Sequence, residues 1–264
     1  MTIIKFLSIL FTLCASIVLP VFLVIFVSKK YKVKIRFAFL GALGFVVMQL
    51  FIRIPLLQLP AINIFLIGLS PVLSAMALAF TAALFETTGR YLVFKLFFSK
   101  EHSFASGLMG GIGHGGIEAI ALIGTLYINN IIIASVLLFA PNGSLANSLG
   151  INEAMANSFS TISSFMFAGA GIERICTIAF HAFISVMLFY FMQKHKTWLG
   201  FTLAIIMHTT VDFSIPMLNM IFANTQMPLA LIVLFGIMSI IGIVYFKKIH
   251  WPSKATAQEE GMSN

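Results

Sequence analysis

The chain has 264 residues, of which 60% are apolar and only 9% are charged, and its formal net charge is +8. A soluble domain carries about 25% charged residues, so this composition excludes an ordinary soluble domain. The basic residues lie in short runs between apolar segments rather than on one clustered face, which argues against nucleic-acid binding. The chain is therefore predicted to be an integral membrane protein.

Long apolar runs predict the membrane-spanning elements. A helix needs roughly 20 apolar residues to cross the hydrocarbon, and it satisfies its own backbone hydrogen bonds in lipid. In chain order the predicted helices cover about residues 4–27, 35–56, 62–98 with a break near Pro71, 104–139, 162–192, 198–219 and 228–246, with a polar loop at 141–160. The predicted fold class is an all-α polytopic transmembrane bundle of seven segments, or eight if 62–69 or 128–139 forms its own segment.

The basic residues predict the topology. They concentrate at 29–36, 95–100, 194–196 and 247–254, whereas the loops around Pro60 and Asn147 carry almost none. Basic loops face the cytoplasm, so seven crossings place the N-terminus outside and the C-terminus inside a bacterial plasma membrane. We expect one transmembrane domain over residues 1–250, with its motifs at 85–212, and a polar, disordered cytoplasmic tail at 251–264.

Acidic side chains lie where lipid disfavours them. Of the eight acidic residues, Glu86, Glu118, Glu173 and Asp212 fall within or beside apolar stretches. An ionised side chain at the centre of a bilayer costs about 2.5–3.5 kcal/mol on insertion scales, so such residues face the bundle interior and usually have a function. These four residues therefore mark the predicted functional site.

Four short motifs hold these acids together with basic partners. They are FETTGRY at 85–91, GHGGIEA at 113–119, an ER pair at 173–174 followed by FH at 180–181, and HTTVD at 208–212. Residues four apart lie on one face of a helix, one turn from each other. This spacing pairs Glu86 with Arg90, His114 with Glu118, and His208 with Asp212.

The motifs also fall at a common depth. Counted from the predicted cytoplasmic helix ends at 1.5 Å per residue, Glu86, His114, His181 and His208 lie roughly 13–18 Å deep. A lone His or a single Glu–Arg pair in a bundle is often structural, and close helix packing explains the glycines at 107–116. Packing does not explain three histidines and several acids at one level, so we predict one polar cluster built by four helices.

The chemistry open to such a cluster is limited. A positioned carboxylate takes a proton from water as a general base. Neutral His transfers protons or binds metals, and His together with carboxylate is a donor set that suits Zn²⁺. The sequence contains no HExxH motif. A metal site would therefore have to be assembled from several helices.

In this order, the four motifs resemble the YhfC-type family of intramembrane metalloproteases. That family is grouped with the CAAX-prenyl-protease and bacteriocin-processing (CPBP, or Abi) membrane proteases. The likeness covers about residues 35–246, and GHGGIEA is its most specific part. The resemblance implies a CPBP/Abi-like helical core and a glutamate-dependent endopeptidase that cuts a peptide, prenylated or membrane-protein substrate. We expect cleavage at or near the cytoplasmic half of the bilayer.

The resemblance also implies roles for individual residues. Glu86 would activate water with Arg90 as its partner, and His208 with Asp212 would stabilise the oxyanion. His114 would polarise water or bind a metal such as Zn²⁺, with His208 as the other candidate ligand.

The remaining motif residues receive secondary roles from the same resemblance. Glu118 completes the predicted catalytic set, and Glu173, Arg174 and His181 support it. The wider group has two adjacent glutamates in its first motif, whereas Phe85 precedes Glu86 here and Thr87 follows it. Either Glu86 suffices, or Glu118 takes the second role, or activity has been lost.

Two other classes of function remain open. Buried Glu, His and Asp also serve as proton relays in ion-coupled transporters, and a helix broken near Pro71 fits such designs. The wider protease group includes non-catalytic members, so a membrane scaffold or immunity factor is a third hypothesis. Membrane lipids are partners in every case, and the sequence does not define an oligomeric state.

Overall fold

The structure is a computed structural model that describes residues 1–140, 144–222, 226–249 and 251. Within these ranges all regular structure is helical. In chain order the helices are α1 (Ile3–Tyr31), α2 (Arg36–Leu57), α3 (Pro60–Gly68), α4 (Pro71–Phe97), α5 (Phe104–Phe139), α6 (Ser144–Ser148), α7 (Glu153–Thr161), α8 (Ser164–Gln193), α9 (Thr197–Ile221) and α10 (Met227–Lys248). All but α3, α6 and α7 are long and apolar enough to cross a membrane. The predicted all-α polytopic bundle is confirmed.

Among the described residues, seven helices are long and apolar enough to cross a membrane, so the structure supports seven spans rather than eight. The helical structure is interrupted between Gly68 and Pro71, as predicted. The Ser70 side chain caps α4 by accepting a hydrogen bond from the Leu73 amide at 3.3 Å. Proline suits the first turn of a helix because its missing N–H is not needed there. The preceding α3 has nine residues and is too short to cross. Residues 128–139 continue α5.

The polar segment at 141–160 was predicted as a loop, but its described part contains α6 and α7. Asn152 caps α7 by accepting a hydrogen bond from the Met155 amide at 2.9 Å. Such side-chain caps stabilise a short helix at its N-terminus. Of the predicted tail at 251–264, residues 252–264 lie outside the described ranges.

Three spans contain short π-helical stretches, in which the backbone widens by one residue per turn. They are Cys14–Val18 in α1, Val46–Arg53 in α2 and Ala119–Gly124 in α5. Such turns are rare and are often found at functional sites. The stretch in α2 carries two buried polar side chains that line the cavity described below.

Helix α8 forms the centre of the bundle, where it packs against α5, α10, α1 and α9. Glycines in α5 allow this helix to approach α8 and α2 closely. A Cβ at Gly111 would lie 2.7 Å from the Cα of Ala182 in α8, and a Cβ at Gly113 would overlap the carbonyl oxygen of Ala38 in α2. The predicted role of these glycines in close packing is confirmed, and it places His114 of α5 directly against α8 and α2.

The exterior of the bundle is apolar. Phe39, Phe51 and Ile67 are each more than 70% exposed. Apolar surface of this extent is not tolerated on a soluble monomer but matches a lipid environment. Glu86, Arg90, His114, His181 and His208 lie instead inside the bundle, each at most 3% exposed.

Candidate functional site

Four helices deliver ionisable side chains to one buried point. Glu86 and Arg90 come from α4, His114 from α5, His181 from α8 and His208 from α9. Each of these five residues is at most 3% exposed. The cluster expected from the common depth of the motifs is therefore present.

One carboxylate oxygen, Oε2 of Glu86, is the focus of this arrangement. The Nε2 of His114 lies 3.1 Å from it and the Nη2 of Arg90 3.4 Å from it. The Nδ1 of His181 and the Nε2 of His208 each lie 3.9 Å away. A single acid is thus surrounded by one guanidinium and three imidazoles. We call Glu86, Arg90, His114 and His208 the central cluster.

A second group, Glu118, Glu173 and Arg174, lies beside it and is called the flanking cluster. The Nη1 of Arg174 lies 3.3 Å from Oε1 of Glu118, and its Nη2 lies 2.6 Å from Oε1 of Glu173. The Glu173 side chain is 39% exposed, whereas that of Glu118 is 11% exposed. Arg174 therefore shares its charge between one buried and one accessible acid.

His181 connects the two clusters. Its Nδ1 contacts the Nη2 of Arg90, and its Nε2 lies 2.6 Å from Oε2 of Glu118. His114 and Glu118 lie on one face of α5 as predicted, but Glu118 reaches His181 and Arg174 rather than His114. The ring of His181 is thus held at both nitrogens.

His208 and Asp212 form the third predicted pair. The Nε2 of His208 lies 3.4 Å from Oδ2 of Asp212, one helical turn further along α9. The Asp212 side chain is 36% exposed, so it lies towards the open side of the site. The same Nε2 faces Glu86, which places His208 between the two carboxylates.

Aromatic rings hold the imidazoles in place. Phe45 packs edge-on against His114 with ring centroids 5.3 Å apart, and Phe180 does the same against His208 at 5.9 Å. Several polar atoms nevertheless lack a hydrogen-bond partner among the described residues, namely Nδ1 of His114, Nδ1 of His208, and Nε and Nη1 of Arg90. Buried polar groups are normally paired, so these atoms indicate capacity for water or a ligand.

A cavity of about 630 Å³ opens from this point. Its polar lining includes Glu86, Glu118, His181, His208 and Asp212. Along α4 the lining runs from residue 86 back to 71, and along α9 it runs from residue 208 on to 220. The cavity therefore lies on the side of the cluster that faces away from the basic loops.

The sequence analysis missed two residues of this cavity, Gln49 and Arg53 on α2. They are 7% and 8% exposed. Arg53 donates from Nε to Oγ1 of Thr81 at 3.2 Å and from Nη2 to the carbonyl of Leu78 at 2.7 Å. Arg53 is the single charged residue between positions 37 and 85. An isolated cation in an apolar run is the same signal that identified the acids.

The residues present fit a metal ion. Glu86, His114 and His181 each offer one ligand atom, and these atoms lie within 4.8 Å of one another in a buried site. Two imidazoles and one carboxylate form a recognised zinc donor set. Glu118 at Nε2 of His181 is the carboxylate that would orient this imidazole, and the ligating atom would then be Nδ1. Nδ1 contacts the Nη2 of Arg90, so ligation by His181 requires that contact to open. The predicted ligand pair was His114 and His208, so the structure adds Glu86 and His181, while ligation by His208 stays a prediction.

The fold and the site together define a class, a multi-pass helical membrane protein with a buried Glu–His–His centre that opens into a cavity. The family profile described as YhfC intramembrane metalloprotease matches residues 15–234. The chain belongs to this family.

A relative from Bacillus subtilis (strain 168), described as "Uncharacterized membrane protein YhfC", is 27% identical over 197 residues. The aligned part covers 69% of this chain and 72% of the relative. No solved structure matches the chain.

Proposed function

We propose that this protein is an intramembrane endopeptidase of the CPBP-like class that hydrolyses a peptide bond of a membrane or lipid-modified substrate. The observation that carries the proposal is the setting of Glu86. One carboxylate is buried among Arg90 and three imidazoles, at the wall of a cavity large enough for a peptide segment. A buried acid with this many polarising partners suits water activation better than helix packing.

In the proposed reaction, water in the cavity gives a proton to Glu86 as its oxygen attacks the scissile carbonyl carbon. Arg90 keeps the carboxylate oriented through the contact to Oε2, and His114 contacts the same oxygen. As the carbon–nitrogen bond breaks, the proton on Glu86 passes to the leaving nitrogen, which departs as the amine. Low water content in the bundle strengthens each of these electrostatic interactions.

His208 is proposed to stabilise the negative charge that develops on the carbonyl oxygen. Asp212 holds its Nε2 at 3.4 Å and so fixes the ring against the cavity wall. Removing one such donor typically lowers kcat roughly 10²–10³-fold. Asp212 is a positioning residue in this scheme.

A divalent ion held by Glu86, His114 and His181 would polarise the water and the carbonyl as a Lewis acid. If Glu86 serves as a ligand, Glu118 is the other carboxylate within reach of His181 and becomes the candidate base. This is the second role that the sequence left open for Glu118. Zn²⁺ is the proposed ion, because two imidazoles and one carboxylate are the protein ligands of one type of catalytic zinc site.

The proposal keeps the topology predicted from the basic loops, with the N-terminus outside and the protein in a bacterial plasma membrane. The cavity then reaches the cluster from the extracellular half, because its lining runs along α4 towards Pro71. This revises the expectation of cleavage in the cytoplasmic half. The scissile bond is proposed to lie near mid-membrane and to be reached from the outer side.

The test is cleavage of a reporter. Purified protein in proteoliposomes is given transmembrane peptides with a fluorophore–quencher pair, and the wild type is compared with Glu86→Gln and His208→Ala. We expect both variants to lose activity by roughly 10²–10⁴-fold. Arg36→Met, which alters an exposed residue at the start of α2, serves as a control. Unchanged cleavage in both site variants would overturn the assignment.

Two alternative functions predict different results, one in the same proteoliposomes and one in cells. Uptake driven by an ion gradient without cleavage would support a transporter, which the protonatable cavity lining and the break before Pro71 also suit. A cellular phenotype that survives Glu86→Gln would support a non-catalytic scaffold or immunity factor.

A further inference from the structure

Gln49 and Arg53 form a polar pair that the proposed reaction does not use. They lie four residues apart in the π-helical stretch Val46–Arg53, and both line the cavity that contains Glu86. Burying polar side chains on a membrane helix is costly unless they are paired. Their placement therefore needs an explanation.

The pair is only partly satisfied by the protein. Among the described residues, Oε1 of Gln49 is buried without a hydrogen-bond partner. The hydrogen bonds of Arg53 use Nε and Nη2, which dock it on Thr81 and Leu78 of α4 and leave Nη1 for a ligand. The cavity wall thus presents one unmet acceptor and one available donor, about one helical turn apart.

The chemistry of this pair selects its ligand. An anion such as a phosphate or carboxylate would accept from Arg53 and from the Nε2 amide group of Gln49, but it would leave Oε1 of Gln49 without a donor. A peptide unit supplies both complements, because its C=O accepts from Arg53 and its N–H donates to Gln49. A transmembrane substrate must also unwind before hydrolysis, and its freed backbone groups need partners in lipid.

We infer that Gln49 and Arg53 form a substrate subsite that binds main-chain N–H and C=O groups of the unwound segment next to the scissile bond. The inference rests on the proposed function and names a positioning element for that reaction. Arg53 lies four residues before the end of α2 and the cavity lining extends back to Pro71, so the subsite is on the access path to Glu86.

The test separates binding from chemistry. Gln49→Met keeps the side-chain volume but removes the hydrogen-bond acceptor. Arg53→Lys keeps the positive charge but removes the planar guanidinium group and its N–H donors. With the reporter peptide we expect each to raise KM roughly 10-fold, the usual consequence of one lost hydrogen bond to a buried group, with kcat changed less than about threefold. Gln58→Met and Arg36→Met are the matched controls, because both residues are exposed outside the cavity.

A second measurement uses uncleaved substrate. In the Glu86→Gln background, affinity for the reporter is measured by fluorescence anisotropy, with peptides in which a single ester replaces one amide near the scissile bond. Where the ester removes the N–H that Gln49 binds, affinity should fall roughly 10-fold with Gln49 present and stay unchanged with Gln49→Met.

The outcomes distinguish this inference from the proposed function. If the wild type cleaves, Glu86→Gln does not, and Gln49→Met and Arg53→Lys leave KM and ester sensitivity unchanged, the subsite is wrong while the peptidase stands. Thermal stability of each variant in detergent is measured in parallel, and a KM change in a variant that melts with the wild type supports the subsite. An effect on kcat alone contradicts it.

Discussion

The central and flanking clusters both pair glutamate with arginine, but they differ in their balance of acids and nitrogen-containing groups. In the central cluster one acid, Glu86, meets one arginine and three imidazole rings, two of them in the cluster itself and one from His181. In the flanking cluster two acids share one arginine, and one of those acids is 39% exposed. The flanking cluster thus has one acid more than it has cations, whereas the central one surrounds a single acid with nitrogen atoms.

This difference shows which ion pairs are structural and which are available for chemistry. Arg174 uses both terminal nitrogens on carboxylates, and among the described residues its Nε and Oε2 of Glu118 have no hydrogen-bond partner, although Oε2 lies 2.6 Å from Nε2 of His181. The central cluster leaves Nδ1 of both of its histidines and two nitrogens of Arg90 unpaired among the described residues. Unpaired buried polar groups are costly, and they are retained where a water, metal or substrate completes them.

The largest effect on cleavage is expected at His181, which connects the central and flanking clusters. His181→Phe keeps the ring shape but removes the contacts to both Arg90 and Glu118. We expect cleavage to fall roughly 10³-fold or more, since residues that act as a unit lose activity together. Zinc content measured by inductively coupled plasma mass spectrometry should fall from near one ion per chain to near zero.

His102→Phe is the matched control, because His102 contacts Gln193 near the basic ends of the helices and is not in the cavity lining. Retained zinc with lost cleavage in His181→Phe would remove His181 from the metal site but keep its link to the reaction.

An intermediate effect on stability is expected from breaking the flanking cluster. Arg174→Met leaves Glu118 buried without its cation, which should lower the free energy of unfolding by about 2–3 kcal/mol, less than for a fully enclosed pair because both residues line the cavity. The measurement is the midpoint of denaturation by sodium dodecyl sulfate in mixed micelles. Adding Glu118→Gln should restore part of the loss, and a double variant as unstable as the sum of both changes would contradict the pairing.

The smallest effects are expected from substituting the two glutamates that contact Arg174. Glu118→Gln weakens the partner that orients His181 and should lower zinc affinity roughly 10–100-fold, and cleavage by at least as much. Glu173→Gln alters the exposed end of the same cluster, where an ion pair is worth about 0–1 kcal/mol, and should change either quantity less than about fivefold. Equal losses in both variants would contradict the difference described above between the buried and the accessible acid of the flanking cluster.

Much of the site could be predicted from the sequence because lipid makes ionisable residues conspicuous. Glu86, His114, His181 and His208 were each recognisable as polar residues in apolar runs, and helical rise placed them at one depth. Arg53 carried the same signal and was missed, since it lacked an acid or histidine at helical spacing on its own helix. Gln49 carries no charge, and only its position in the cavity identifies it.

By itself the sequence determined the number of spans to within one, their approximate ends and the helices that carry each ionisable group, because hydrocarbon thickness and backbone hydrogen bonding leave few alternatives. Only the tertiary structure decided the partners. Glu118 follows His114 by one turn, yet it pairs with His181 and Arg174. The reason is the close approach of α5 to α8 at Gly111 and Gly115, which is a property of two helices packed together and not of either one alone.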